Sequence, residues 1–552
     1  MADIAFLWHM HQPDYRHPAS GEFMLPWVFL HSIKDYTDMA AHLERHPAVR
    51  CTVNFVPVLL EQIEDYVDQF ASGQWRDPLL RMVSAPENTL LSATDRSWLL
   101  DMAFRCHAPT MLEPFAPYRH LRDIFNVLRG LDGDGTRYLS ERYLNDLATW
   151  YLLAWCGESL RRSSPVIARL MAKGDDFSAA ERRQLMDELG AALAGLIPRY
   201  RALAERGQIE LSCTPNTHPL APLLLDFGSA SEAWPECPLP AAPGYPGGRS
   251  RVESHLQMAQ ASHTRRFGKP SPGLWPAEGA LSSAFLKQIA EAGFTWTASS
   301  HGVLKHSAGN QAQTNIAWQA PDDIPGDLTL FFRNEKLSDL IGFEYAKWHG
   351  RDAAQHFLNE LEALDADDPD NLIPIFLDGE NAWEYYPYNA WFFFSDLYDA
   401  LETHPELRTV TLSEAAVSQH DRRQRLPRLT AGSWVFGTLS TWIGNPEKNR
   451  AWEMLCEVKQ CADRALDSGR LSPPESTEVL HRLANCESSD WFWWLGDYNS
   501  PESVACFDRL FRENLKALYQ LLKLPPPASL DQPISKGIGS EAEGGGTMRR
   551  AN

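Results

Sequence analysis

What most constrains this chain is an alternation. Short apolar runs and longer stretches of helical period follow one another from the first residues to about residue 420. Residues 3–8 form an apolar run that stops at His9-Met10-His11-Gln12-Pro13, as a buried strand ending in a polar loop does. Further strands are predicted at 208–212, 294–297, 328–333, 372–377 and 409–412. Helices are predicted at 54–70, 180–206 (closed by Gly207), 251–267, 281–292, 351–364 and 390–403, and a long amphipathic stretch covers 138–172. Residues 234–250, rich in Pro and Gly, read as an irregular loop. This order points to an α/β fold with a mainly parallel sheet, and its polar clusters fall just after the strands, where such sheets and barrels hold their sites. Beyond about 430 the pattern becomes helical, at 446–468, 474–486 and 501–523. The expected division is a barrel over 1–430, a helical C-terminal domain over 431–524, and a disordered tail over 525–552 containing Pro525-Pro526-Pro527 and Gly544-Gly545-Gly546.

Charge narrows the partners. The chain has 552 residues, with 72 acidic against 51 basic, a formal charge of −21. A phosphate backbone or anionic membrane repels such a surface, and no basic block relieves it. The N-terminus has no basic, then apolar, leader, and no run approaches the roughly 18 apolar residues of a membrane helix. Nine widely spaced cysteines without a Cys-x-x-Cys pair read as reduced thiols of a cytoplasmic protein. The 19 tryptophans are compatible with a neutral, polyhydroxylated ligand such as a sugar.

Three clusters can carry chemistry. His9 and His11, two apart at a strand end, share a face and could bind a sugar or a metal, or cap the sheet. In Trp275-Pro276-Ala277-Glu278-Gly279 a carboxylate follows a Trp-Pro turn; it could be a glycosidase nucleophile or an acid at a helix start. In Leu377-Asp378-Gly379-Glu380-Asn381-Ala382-Trp383-Glu384, three acids follow an apolar strand. Crowded, buried carboxylates acquire raised pKa values, as a general acid requires. Glu278 and Asp378 together supply the two carboxylates of glycoside cleavage. Glu210, Asn216, His218, Arg333, Asp339 and the tryptophans 434, 442, 491, 493 and 494 are lesser candidates, each alone more commonly a packing residue.

Taken in order, these segments resemble glycoside hydrolase family 57, whose members include α-amylases, 4-α-glucanotransferases and branching enzymes. His9–Pro13, Gly207–Leu211, Trp275–Glu278, Leu377–Asn381 and the region from Trp442 through Asn449 and Trp452 match its five motifs. The resemblance implies a (β/α)7 barrel with a helical C-terminal domain, and a retaining mechanism that needs neither metal nor cofactor. It implies Glu278 as nucleophile and Asp378 as general acid/base. His9 and His11 would bind the sugar at the cleavage point, with Glu210, Trp275, Asp339, Trp383 and Trp442 shaping or contacting that subsite. The substrate implied is an α-1,4-glucan (glycogen, starch or maltodextrin), hydrolysed by an α-amylase-like enzyme or rearranged by a 4-α-glucanotransferase; the further alternatives are a non-catalytic glucan-binding protein and a metal-dependent enzyme on a similar barrel with His9 and His11 as ligands. Glu278-Gly279 departs from the Glu-Cys of branching enzymes. Leu495–Asn499 stands where the α-amylase/α-mannosidase-like branch carries Tyr-Gly-Asp-Asp-His, which puts Asn499 in place of a histidine.

Overall fold

The computed structural model describes residues 2–87, 89–131, 135–368 and 370–539. Ten strands form one sheet: β1 (Ala2–Met10), β2 (Cys51–Phe55), β3 (Ile209–Cys213), β4 (Gly273–Leu274), β5 (Trp296–Ser300), β6 (Trp318–Gln319), β7 (Thr329–Arg333), β8 (Leu372–Asp378), β9 (Leu407–Thr409) and β10 (Gln424–Arg425). Their order is β10-β6-β7-β5-β4-β3-β2-β1-β8, with β9 also paired to β1. Seven of them, β7-β5-β4-β3-β2-β1-β8, run parallel and curl into the barrel. The seam between β7 and β8 has no regular ladder. Asn334 N–H donates to the Pro374 carbonyl and Arg333 Nε to that of Phe376, both at 2.8 Å.

All nine residues of β1 are buried, because the strand has neighbours on both edges and layers on both faces. Its alternation sorts the side chains. Ala5 and Leu7 join Trp275, Trp296, Phe331 and Phe376 in a core inside the barrel, whereas Phe6, Trp8 and Met10 pack outward under the helices. The barrel interior is therefore filled, and a site can form only at its mouth.

The C-terminal helices Pro446–Asp467, Pro473–Cys486 and Pro501–Leu521 each open on a proline preceded by Asn445, Ser472 or Ser500. A polar cap followed by proline suits the first turn, where proline's missing N–H costs nothing. The short helix Ser489–Trp494 lies between the last two.

The structure departs from the expected elements in several places, among them the strand expected at 409–412, which is Leu407–Thr409, and β4, β6 and β10, which are not among the expected strands. Residues 51–55, absent from the predicted strands, form β2, and the predicted helix at 54–70 starts only at Pro57. The 138–172 stretch is three helices, Glu141–Trp155, Glu158–Ser163 and Pro165–Lys173, broken at Gly157 and Pro165. The expected tail is packed as far as residue 539. Leu530 and Ile534 are buried, Asp508 accepts from Ile534 N–H at 2.7 Å, and Arg512 donates to the Leu530 carbonyl at 2.9 Å. Two apolar anchors and a buried carboxylate outweigh a proline-rich composition here; residues 540–552 lie outside the described residues.

Candidate active site

Strand register builds the floor of the site. His9 pairs with Asn54 on β2 and with Asp378 on β8, and Asn54 pairs with Ser212 on β3. These four polar residues form one row at the barrel mouth, directly above the apolar filling. His9 Nδ1 lies 2.7 Å from Asn54 Oδ1, and its Nε2 lies 3.1 Å from His218 Nε2. The His218 ring stacks on that of His11, 3.8 Å between centroids and 19° apart. His11 Nε2 reaches Asp490 at 2.9 Å, so the helix Ser489–Trp494 is tied to the end of β1.

Glu278 enters from the turn after β4. Its Oε2 accepts from Trp434 Nε1 at 3.0 Å and its Oε1 lies 3.5 Å from Ser489 Oγ. Glu278 has φ 58° and His218 has φ 62°, the left-handed region. Each such non-glycine residue costs on the order of 1–3 kcal/mol, and strain of this kind gathers where a side chain must be aimed. Asp378 ends β8 and accepts from Asn381 Nδ2 at 2.8 Å. A Cβ at the neighbouring Gly379 would stand 2.0 Å from Met10 Sδ, so the buried Met10 side chain would have to shift. Glu278, Asp378, His9, His11 and His218 line one open cavity, walled by Trp434, Asp490, Trp493 and Trp494.

Burial dominates the electrostatics. It pushes Glu278 up to about 8, with Asp490 and Asp378 adding to the shift. It pushes Asp378 up to about 6, against the opposing effects of Asn381 and His11. It holds His9 down at about 3, helped by His11, and holds His218 well below the usual histidine range. Glu380, buried beside Asp378, is raised well above the carboxylate range, and its Oε1 accepts from the His11 N–H at 3.1 Å. The ligating atoms of His11, His218 and Asp490 all lie within 4.8 Å of one another. The two rings stack face to face, however, so their in-plane lone pairs do not converge on one point.

The predicted residues separate into two groups. Glu278, Asp378, His9 and His11 meet at the cavity. Glu210 does not: two residues before Ser212 on the same face, it sits one layer lower, taking Trp296 Nε1 at 3.0 Å and Ser413 N–H at 3.2 Å. Trp275 is fully buried in the barrel filling, its ring 6.0 Å from His9. Trp383 faces outward against Trp8 and Phe394 and pins the turn through Nε1 to the Gly379 carbonyl at 2.8 Å. Trp442 is fully buried, and its carbonyl receives Trp452 Nε1. Asp339 holds Arg333 at 2.8 Å and thereby braces the β7–β8 seam. These five are supports of the site. Nothing in the sequence singles out Ser489 or Asp490, and His218 and Trp434 stand there only as lesser candidates. His218 follows β3 as His11 follows β1, and that repeated strand-end placement was the available signal.

The model of glycosyl hydrolase family 57 matches residues 5–427. No curated protein matches the chain. Among solved structures, a family 57 branching enzyme from Thermococcus kodakaraensis shares 15% identity over 94% of this chain and 90% of its own, with a TM-score of 0.59. The α-amylase AmyC of Thermotoga maritima shares 14% over 95% and 93%, TM-score 0.57. The 4-α-glucanotransferase of Thermococcus litoralis shares 15% over 96% and 61%, TM-score 0.52. At such identities the likeness of structure is one of fold. With the match of the family model over most of its length, the chain belongs to glycosyl hydrolase family 57.

Proposed function

We propose that this chain is a retaining enzyme that cleaves α-1,4 links of glucans such as glycogen, starch or maltodextrins, with Glu278 as nucleophile and Asp378 as general acid/base. The observation that carries the reading is that two buried carboxylates, from the ends of β4 and β8, line the same cavity beside three stacked imidazoles. Asp378 protonates the leaving oxygen while Glu278 attacks the anomeric carbon; Asp378 then takes a proton from water or from an incoming sugar hydroxyl. His11, whose Nδ1 finds no partner among the described residues, offers that ring nitrogen to the sugar at the cleavage point, and His9, engaged by Asn54 and His218, lines the floor beneath it. The substrate class rests on the family and on relatives named for α-amylase, branching and 4-α-glucanotransferase activities. Nine free cysteines, seven of them buried, favour a reducing compartment such as the cytoplasm.

A second reading, 4-α-glucanotransferase, is favoured by the Trp434, Trp493 and Trp494 walls, which can stack on an acceptor sugar. Incubation with maltoheptaose decides between the two. Shorter products alone mean hydrolysis, longer products as well mean transfer, and an unchanged substrate would overturn both.

The pH dependence follows from the shifts. Glu278 and Asp378 titrate as a pair, and the chemistry needs one proton on it. Raised values keep that proton to about 8. The expected kcat/KM falls roughly tenfold per pH unit above that point. A profile level to about pH 10 would contradict the pair's assignment.

A further inference from the structure

Two tryptophans of the cavity wall stand next to each other in the chain but differ in what they leave free. Trp494 is buried and stacked on Phe507, 4.3 Å between centroids and 8° apart. Trp493 is half-buried and meets Trp494 and Tyr498 at 72° and 87°, so neither ring stacks on its face. Both line the cavity, and Trp493 is the one with an open face to offer a sugar ring.

The next five residues, Leu495–Asn499, hold that ring, and they are the string in which this chain departs from Tyr-Gly-Asp-Asp-His. Tyr498 OH donates to the Trp493 carbonyl at 2.5 Å. Asn499 Nδ2 donates to the Trp493 and Trp494 carbonyls at 3.2 and 3.0 Å. These carbonyls close the helix Ser489–Trp494, where no further helical N–H follows to take them up.

Tyr498 is held in turn. Lys448, buried on the first turn of the helix Pro446–Asp467, donates to the Tyr498 hydroxyl at 2.7 Å and to the Thr441 carbonyl. A buried ammonium is costly unless acceptors take its protons, so Lys448 fixes where that hydroxyl stands. From the other side, Gly496 N–H donates to Ser535 Oγ at 3.1 Å, and the N–H groups of Ile538 and Gly539 donate to the Asp497 and Asn499 carbonyls at 3.3 and 3.0 Å. Gly537 makes the approach possible: its φ is 63°, and a Cβ there would stand 2.7 Å from the Asn499 carbonyl oxygen. The loop beneath Trp493 is thus gripped on both sides.

We propose that Trp493 is the platform for the glucosyl unit next to the one at the cleavage point, and that Tyr498, Asn499 and Lys448 are positioning residues that hold its ring there; the inference rests on the proposed action on α-glucans. The sugar at the cleavage point meets the carboxylates and imidazoles of the floor, so a platform on the wall serves its neighbour. Trp493 then adds affinity for a longer chain and leaves the chemical step alone. A substrate of one sugar gains nothing from it.

The test is steady-state kinetics of the full chain on maltoheptaose and on α-glucosyl fluoride, a substrate of one sugar. The variants are Tyr498→Phe, Lys448→Met, Trp493→Ala and the double variant Tyr498→Phe/Trp493→Ala. Tyr498→Phe keeps the ring and removes only the hydroxyl that joins Lys448 to the Trp493 carbonyl. It is expected to raise KM for maltoheptaose about fivefold with kcat little changed, and to leave kcat/KM on α-glucosyl fluoride within about twofold of wild type. Lys448→Met, which keeps a buried stem of similar length, is expected to match it. Trp493→Ala is expected to raise KM for maltoheptaose about tenfold or more. Because Tyr498 acts through Trp493, the double variant should match Trp493→Ala within about twofold. An unchanged KM in any single variant would overturn the proposal. So would effects of Tyr498→Phe and Trp493→Ala that multiply in the double variant, or an equal loss by Tyr498→Phe on the two substrates. Failure of the wild type to act on any α-glucan would instead remove the functional reading on which the platform stands.

Discussion

Glu278→Gln is expected to lower kcat on an α-glucan by roughly 10⁴-fold while the protein stays folded. The amide has the shape of the acid but cannot form the glycosyl ester, and its oxygen can still accept from Trp434 Nε1, so the turn keeps its main anchor. Stability should move the other way. The folded protein holds the Glu278 proton up to about 8, against 4.5 in the unfolded chain, so the native state is favoured at low pH and loses that advantage as pH rises through this window. Glu278→Gln removes the titration, and its melting temperature should exceed that of the wild type most clearly above pH 8, read by calorimetry across pH. Asp378→Asn provides the contrast. It also impairs glucan cleavage, yet it should retain turnover of α-glucosyl fluoride, whose leaving group needs no proton.

The largest expected stability effect lies at Glu487, outside the proposed chemistry. This fully buried carboxylate takes Tyr245 OH at 2.6 Å, Arg251 through Nε and Nη2 at 2.8 Å each, and His255 Nε2 at 2.7 Å. Tyr245, Arg251 and His255 stand on the barrel side, and Glu487 immediately precedes Ser488, Ser489 and Asp490. The cluster thus locks the C-terminal helices to the barrel just where they supply the cavity wall. Burial alone would raise the Glu487 carboxyl, but Arg251 and His255 outweigh it and hold it at about 2. Glu487→Ala leaves the Arg251 charge buried without its partner and is expected to cost about 3–5 kcal/mol in urea unfolding. The wild-type contribution is present at neutral pH and is lost as pH falls from 4.5 towards about 2. A loss under about 1 kcal/mol would show that water or a neighbour replaces the carboxylate.

How much of this was legible in the sequence differs by feature. Strands with a long apolar run, such as β1 and β8, declared themselves, and so did their polar ends, because burial on both faces leaves only the last residues free to carry chemistry. β2 did not: five residues running into a helix through Phe55 and Val56 give no break in periodicity. The catalytic candidates could be read because each stands at or just past a strand end. Glu210, Trp275 and Trp383 misled because a strand-end motif does not say which layer a side chain occupies; that is set by register with neighbouring strands. Asp490 and Ser489 were illegible for a different reason. They reach the cavity only through the docking of a separate helical region, whose placement depends on long-range contacts such as the Glu487 cluster. The tryptophan excess divided in the same way: Trp434, Trp493 and Trp494 face the cavity, whereas Trp275, Trp383 and Trp442 are packing.

The central claim, that Glu278 attacks the sugar, is tested most directly by trapping the intermediate. Treatment of the wild-type enzyme with a fluorinated α-glucosyl fluoride, followed by proteolysis and mass spectrometry, should find one glycosylated peptide, with the sugar on Glu278. A label on any other side chain, or turnover with inversion at the anomeric carbon and no label, would contradict the account.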